Sequence, residues 1–346
     1  MRSASLIVTG LGNVGRNFLK ILTTQGELLR TEHGLELRVV GATDSAGSAS
    51  DPNGLDLEAV VALKNEGRSV RQLPRTGKAG VGGLDLVRSL DADIVLEATP
   101  VNLTHGQPGL DIVRAALGRG MGCVLANKGP LALAFQELAR ASDWDDAAKP
   151  ALRFSACVGG ALPTINLGRR DLAGVRILKV EAMLNGTSQG ILRLMESGQT
   201  FEAALAEMQR RGVAETDPSL DVDGWDQAVK LVIIANAVLR RPTVLRDLSV
   251  KGIRDVSVED LHAATDRGER IVLLGTATRD RPDADWQLDV APTSLPVDHP
   301  LARMSGDEMG IVYHTDIAGR LHATSEEPDA VPTAAAMLRD VIDIVC

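Results

Sequence analysis

A run of acids leads into a lysine-bearing helical pattern, and these residue types together can grip an amino group and move a proton. The stretch Glu215-Thr216-Asp217-Pro218-Ser219-Leu220-Asp221-Val222-Asp223-Gly224-Trp225-Asp226-Gln227-Ala228-Val229-Lys230 carries five carboxylates ahead of an otherwise apolar helix. Asp226 and Lys230 stand four apart, so they share one helix face. That face continues into Ile233, Ile234 and Ala237, which predicts burial of the lysine. A buried lysine needs a partner or gives up its charge. Beside a carboxylate and away from water it is a tunable proton donor or acceptor. The plainer reading is an exposed ion pair worth ~0.3–0.5 kcal/mol. The crowding of acids at the helix N-terminus favours the catalytic one.

Two further stretches could supply charge and donors. Gly120-Met121-Gly122-Cys123-Val124-Leu125-Ala126-Asn127-Lys128-Gly129-Pro130 puts Lys128 just past the carboxyl end of a predicted strand, where open α/β sheets bind ligands. A surface lysine opening a helix, with Pro130 in its first turn, would read the same way. Asn185-Gly186-Thr187-Ser188 closes a strand and opens a helix, so its N–H groups and hydroxyls could hold a carboxylate. Thr187 or Ser188 would equally serve as an N-cap.

Near the start, Gly10-Leu11-Gly12-Asn13-Val14-Gly15 follows a strand and precedes a helix directly. In that setting Gly10 permits the tight turn, Gly12 lets a pyrophosphate approach the backbone, and Gly15 lets helix and strand pack closely. Asn13 and Val14 open the helix whose N–H groups and positive end would hold the phosphates. The second strand ends at Asp44, placed to accept hydrogen bonds from an adenosine ribose and to repel a 2′-phosphate. This predicts NAD as cofactor, with NADP possible because Lys64, Arg68 and Arg71 follow and could fold back.

The elements that must position these residues alternate over the first half. Strands are predicted at Leu6–Val8, Leu35–Ala42, Asp93–Ala98 and Cys123–Ala126, with helices at Val14–Leu22, Leu55–Lys64, Leu110–Leu117 and Leu131–Ala148. Strands joined by helical crossovers imply a parallel, Rossmann-type sheet, so the fold class is α/β. Lys149-Pro150 marks the expected domain boundary, because proline disfavours helix before it. Beyond it the reading is an α+β substrate and dimerisation domain. Strands are expected at Leu152–Ala156, Val175–Leu184, Ile271–Thr278, Trp286–Val290 and Gly310–Thr315, with three helical patterns after Gly186, the last Asp226–Leu239. A final helix, Val331–Ile344, carries the apolar stripe Ala334, Met337, Leu338, Val341 and Ile344 and is expected to return to the first domain. The domains are therefore 1–150, 151–320 and a returning segment 321–346.

Composition excludes several classes of function. The 346 residues carry a net charge of −9, against a nucleic-acid binder, and 2% aromatics leave no stacking platform for bases. No apolar run approaches a membrane span, and Leu6-Ile7-Val8 is too short for a signal-peptide core. Cys123, Cys157 and Cys346 are odd in number and far apart, which suits a reducing cytoplasm and neither a disulfide framework nor a zinc site.

Taken together, the chain resembles the homoserine dehydrogenase family, in a short form without an aspartate kinase or ACT domain. The resemblance rests on the Gly10–Gly15 loop, Glu97-Ala98-Thr99-Pro100-Val101-Asn102, Ala126-Asn127-Lys128, Val158-Gly159-Gly160-Ala161-Leu162-Pro163, Asn185-Gly186-Thr187-Ser188 and the block Glu215 to Lys230. It implies reversible reduction of L-aspartate 4-semialdehyde to L-homoserine by a nicotinamide cofactor. Lys128 and Lys230 match the family's catalytic lysines and Asp226 the carboxylate supporting the second. Glu215 and Asp221 match acids that hold the substrate's amino group, Gly186 and Thr187 fall in the substrate pocket, and Thr99, Pro100 and Asn127 fall beside the cofactor. A homodimer through the second domain is implied too, and the alternating strand Val175–Leu184 invites pairing or sheet packing. Two departures stand out. Ser155 occupies the position where the family has a glutamate associated with a monovalent cation, so no bound metal is expected. Ser325-Glu326-Glu327-Pro328-Asp329-Ala330 replaces a glycine-rich stretch. A related dehydrogenase of another small amino acid or amino aldehyde, or a nicotinamide-binding regulatory protein without turnover, are the rival readings.

Overall fold

The computed structural model describes residues 1–346 apart from Asp145, Asp280, Pro282 and Asp283. The chain divides into two units, residues 1–161 with 329–346, and residues 162–328. The first unit contains β1 (Arg2–Thr9), α1 (Asn13–Glu32), β2 (Leu35–Asp44), β3 (Gly47–Ser50), α2 (Leu57–Asn65), β4 (Gly77–Ala79), α3 (Gly83–Ser89), β5 (Ile94–Glu97), α4 (Gly109–Gly118), β6 (Gly122–Leu125), α5 (Gly129–Arg140) and β7 (Leu152–Arg153). The second holds α6 (Thr164–Asn166), β8 (Ile177–Met183), α7 (Gly186–Glu196), α8 (Phe201–Arg210), α9 (Ser219–Val222), α10 (Trp225–Ala237), β9 (Ser249–Val250), α11 (Val258–Asp266), β10 (Glu269–Thr278), β11 (Gln287–Pro296), β12 (Glu308–Thr315) and β13 (Arg320–Glu326). Helix α12 (Val331–Val345) then rejoins the first unit.

Among the described residues the first sheet runs β4-β3-β2-β1-β5-β6-β7. The strands from β2 through β1, β5 and β6 to β7 are parallel, and β3 and β4 add an antiparallel edge. The chain leaves β1 toward β2 and later returns to β1's other side as β5. The order reverses there, so the carboxyl ends of β1 and β5 form the crevice where such sheets bind ligands. The buried strand β5, Ile94-Val95-Leu96-Glu97, shows why the central strands read as continuous apolar runs.

Helix α12 buries its stripe as expected. Ala334, Met337 and Val341 join Leu6 and Val8 of β1 and Phe18, Leu19 and Leu22 of α1 in one core, with Leu338 and Ile344 at its margin. Asp340 is buried on the same helix, where its two oxygens accept the Ser155 N–H at 2.7 Å and hydroxyl at 2.6 Å. Burial pushes its carboxyl up to about 6, with Ser155, Arg339 and Arg153 acting the other way.

Two expected elements are shorter than their patterns. The helix expected over Leu131–Ala148 ends at Arg140, because Asp143 turns back to accept the Leu152 N–H at 3.0 Å. Its expected span also covers Asp145, outside the described residues. The strand expected over Leu152–Ala156 stops at Arg153, since the Ser155 N–H is taken by Asp340 and Ser155–Cys157 coils into a 3-10 turn.

In the second unit the sheet runs β13-β12-β8-β10-β11-β9, antiparallel except for the pair β11 and β9. Helix α10 is seated on this sheet by Gln227, whose amide accepts from Leu184 N and donates to Ala182 O, both at 2.8 Å. Met183, Val272, Leu274 and Val312 form a second core with Leu301 and Met304. No helix among the described residues is long and apolar enough to cross a membrane.

Candidate active site

The glycine loop has the shape its residue types predict. Gly10 sits at φ +87°, and a Cβ there would lie 2.3 Å from the Ala98 carbonyl oxygen. A Cβ on Gly15 would lie 2.0 Å from the Gly10 carbonyl oxygen. Neither position admits a side chain. At Gly12, by contrast, a Cβ would meet nothing within 4 Å. Gly12 opens α1 without a side-chain cap, so the first-turn N–H groups, Asn13 and Val14 among them, face space that a side chain would fill. A backbone cradle open at its middle glycine fits a dinucleotide pyrophosphate.

Asp44 already has partners within its own unit. Its Oδ2 pairs with Lys64 Nζ at 2.9 Å and accepts the Val70 N–H at 3.0 Å, while Oδ1 accepts Ser69 Oγ at 2.8 Å and Ala46 N–H at 3.0 Å. Burial opposes its charge, yet these donors, Lys64 foremost, hold the carboxyl below the ordinary aspartate range. Lys64 has folded back, as the sequence allowed, onto the acid itself.

At the carboxyl end of β5, Thr99 is half-buried and Pro100 exposed. Asn127, buried after β6, donates toward Thr99 Oγ1 at 3.2 Å and accepts the Gly129 N–H at 2.9 Å. Lys128 is half-buried at the N-cap of α5, its carbonyl accepting the Ala132 N–H at 2.9 Å. Lys128, Thr99 and Asn127 are thus neighbours within one unit.

In the second unit one polar network joins three of the predicted residues. Lys230, on the buried face of α10, pairs with Asp226 at 2.7 Å and donates to the Leu184 carbonyl. It is 7% exposed, so the lysine is buried as its helix face predicted, and Asp226 is half-buried. Asn185 Nδ2 donates to Asp221 Oδ1 at 2.6 Å and to Asp226 Oδ2 at 2.8 Å. Its Oδ1 caps α7 by accepting the Ser188 N–H at 2.8 Å. Thr187 is buried and Gly186 half-buried in that same first turn, with Thr187 Oγ1 3.4 Å from the Val213 carbonyl. Glu215 stands apart. It is exposed, and among the described residues no hydrogen bond or ion pair ties its carboxylate to the network.

Asn185 is the residue that sequence reasoning undervalued. The motif was visible, but nothing local shows that its amide would bridge two acids 36 and 41 positions downstream. At the Val158-Gly159-Gly160 turn, the Ser155 hydroxyl donates to Asp340. Among the described residues no group of three or more His, Cys, Asp or Glu is placed to hold a metal ion.

Comparison with known proteins gives a consistent picture. The family model for homoserine dehydrogenase matches residues 163–342, and that for glutamate/leucine/phenylalanine/valine dehydrogenase matches residues 1–105. A homoserine dehydrogenase of Methanocaldococcus jannaschii is 36% identical, the match covering 98% of each chain. An NAD(+)-dependent homoserine dehydrogenase of Pseudomonas canavaninivorans is 34% identical over 99% of this chain and 97% of its own. The crystal structure of a homoserine dehydrogenase from Thiobacillus denitrificans superimposes with a TM-score of 0.84 at 29% identity, covering 100% of this chain and 74% of that one.

Proposed function

The chain belongs to the homoserine dehydrogenase family, and on that premise we propose how its own residues divide the work. It is an NAD(P)-dependent oxidoreductase of the CH–OH group, interconverting L-aspartate 4-semialdehyde and L-homoserine. The observation that carries the residue assignment is the part-buried network Asn185, Asp221, Asp226 and Lys230.

When bound, the nicotinamide supplies hydride to the aldehyde or accepts it from the alcohol. The cradle Gly10, Gly12, Asn13, Val14 and Gly15 would hold its pyrophosphate, with Thr99, Pro100 and Asn127 beside the nicotinamide. Lys230 donates a proton to the aldehyde oxygen as charge develops there, and takes it back in the oxidative direction. Asp226 and the Leu184 carbonyl hold the ammonium in place for that transfer. Lys128 assists by relaying the proton. The substrate's ammonium needs carboxylates, supplied by Glu215 and Asp221. Its carboxylate needs donors, supplied by the Gly186 and Thr187 N–H groups at the start of α7.

The direct test is oxidation of L-homoserine followed by nicotinamide absorbance, beside a panel of other amino alcohols. Turnover of another amino alcohol in preference to L-homoserine would overturn the substrate assignment. Glu215→Gln should raise KM for L-homoserine about tenfold with little change in kcat, because a charge-assisted contact to the substrate is lost in ground and transition states alike. A kcat loss at unchanged KM would remove Glu215 from the substrate's grip.

Both NAD and NADP are proposed as cofactors. Asp44 argued for NAD ahead of NADP while its charge had no partner, and Lys64 now pairs with it. The two dissociation constants should therefore lie within about tenfold of each other, which is ~1.4 kcal/mol. A gap of about a hundredfold, read by titration with each cofactor, would restore Asp44 as a discriminating charge.

A homodimer through the second unit completes the proposal, with one change. β8 lies between β12 and β10, so both its edges are already paired and it cannot extend a partner's sheet. Packing through a sheet face remains. Sedimentation at micromolar concentration should give twice the chain mass, and a single-chain mass would contradict it. The three cysteine thiols, two of them buried, support a cytoplasmic setting.

A further inference from the structure

The side chain of Glu97 ends β5 entirely out of solvent. Donors surround it. Oε1 accepts the Thr99 N–H at 2.9 Å and also the Thr99 hydroxyl. The Asn127 amide lies close enough to favour the charged form, though no full hydrogen bond reaches Oε2 among the described residues. Asn127 Nδ2 in turn lies 3.2 Å from Thr99 Oγ1 and 3.5 Å from the Pro100 carbonyl, and its Oδ1 accepts the Gly129 N–H at 2.9 Å. The residues on both sides of Lys128 are therefore set by a chain of contacts that starts at Glu97. Helix α4 closes the back of this arrangement. A Cβ on Gly109 would lie 2.5 Å from Asn127 Nδ2 and 2.8 Å from Glu97 Oε2, so no bulkier residue fits behind the acid.

Burying a carboxylate is costly, and apolar residues fill the rest of β5. We propose that ionised Glu97 is a positioning residue for the reaction, holding Thr99 and Asn127 so that Lys128 is correctly presented, without itself touching substrate. This rests on the role given to Lys128 above.

Burial pushes Glu97 up to about 7, opposed by its contacts to Thr99 and Asn127. The titratable and charged groups on the elements packed around it include Cys123, Asp111, Arg114, His105 and Lys128. The Cys123 thiol on β6 is fully buried and driven far above its ordinary value, so it stays neutral. On α4, Arg114 pairs with Asp111 and with Glu137 at the surface. His105, in the loop before α4, hydrogen-bonds Asn102. Lys128 follows Asn127 directly. Protonation would turn the acid into a donor among groups that offer it donors, so the hold on Asn127 should loosen below neutrality.

The test is the pH profile of kcat for the intact enzyme, wild type beside Glu97→Gln and Glu97→Asp. In the wild type kcat should fall as pH drops through about 7. Glu97→Gln, which cannot ionise, should lose this limb and run about tenfold below wild type near pH 8.5, converging on it near pH 5.5, with KM for L-homoserine within about twofold. Glu97→Asp should keep the limb and recover part of the alkaline rate. If thermal melts show Glu97→Gln unfolded, a limb retained by Glu97→Asp supports the proposal and its absence overturns it. A limb that persists in folded Glu97→Gln, or a loss by one factor at every pH, would show that Glu97 is merely structural. Lys128→Ala run alongside keeps the readings apart: native kcat in that variant overturns the lysine's role, whereas a persistent limb overturns only the positioning role.

Discussion

Lys230→Ala is expected to lower kcat by about 10²–10⁴-fold while KM for L-homoserine changes little. Hydride addition to an aldehyde leaves charge on its oxygen, and a positioned acid acts mainly as that charge develops. Lys230 is suited to the task because its ammonium is buried, paired with Asp226 at 2.7 Å and anchored on the Leu184 carbonyl. A side chain so tethered loses little freedom when substrate arrives. The alanine variant also leaves the half-buried Asp226 without its cation, so a lowered melting temperature is expected as well. Lys128 offers the control. It is half-buried at a helix start, and Lys128→Ala should cost kcat without a comparable loss of stability. If steady-state kinetics show near-native kcat in both variants, the lysines are scaffold and the proton comes from elsewhere.

Gly12→Val should separate cofactor binding from folding. At Gly12 a Cβ meets nothing within 4 Å and φ is −74°, an ordinary value for any residue. The apo chain should therefore melt within about 2 °C of wild type. On the proposed assignment, however, a bound pyrophosphate occupies the space the valine would take and uses the N–H groups it would shield. Losing two charge-assisted contacts, at ~1.5–3 kcal/mol each, weakens NAD binding by about a hundredfold or more. Gly10→Ala makes the opposite pairing. Its Cβ would strike the Ala98 backbone at a left-handed φ, so stability itself should fall. Unchanged NAD affinity in Gly12→Val, measured by titration, would move the phosphates away from this loop.

The parts of this molecule that could be read from sequence are those whose cause is local. The glycine loop is one, since its turn, close approach and helix start lie within six consecutive residues. The Asp226 and Lys230 pair is another, because helical periodicity alone puts both on the face that continues into Ile233 and Ile234. Strands β5 and β6 were legible because both faces are covered and the run is uninterrupted. Strand β13 was not. Arg320-Leu321-His322-Ala323-Thr324-Ser325-Glu326 lies at a sheet edge with no buried residue, so no apolar alternation marks it. The hidden parts of the candidate site are long-range partnerships. Asp340 reaches Ser155 across 185 positions, Asn185 reaches Asp226 across 41, and Asp44 meets Lys64 and Ser69 through loop geometry. Residue type says that each needs a partner. Only the fold says which one it finds.

The first unit is built from two stretches of chain with the whole second unit threaded between them. Arg2, at the start of β1, donates to the Val345 carbonyl at 3.1 Å, and α12 fills the groove over Phe18 and Leu19 of α1. During synthesis the N-terminal sheet emerges first but must wait for residues 329–346 before that groove is covered. Until then Phe18, Leu19 and Leu22 lack the helix that covers them. The closing contact spans nearly the full sequence, and loops that long close slowly compared with local helices and hairpins. The inserted unit owes nothing to such a wait, since every strand of its sheet lies within 162–328. The segment translated first is thus completed only by the segment translated last, and its half-built surface is the one left uncovered meanwhile.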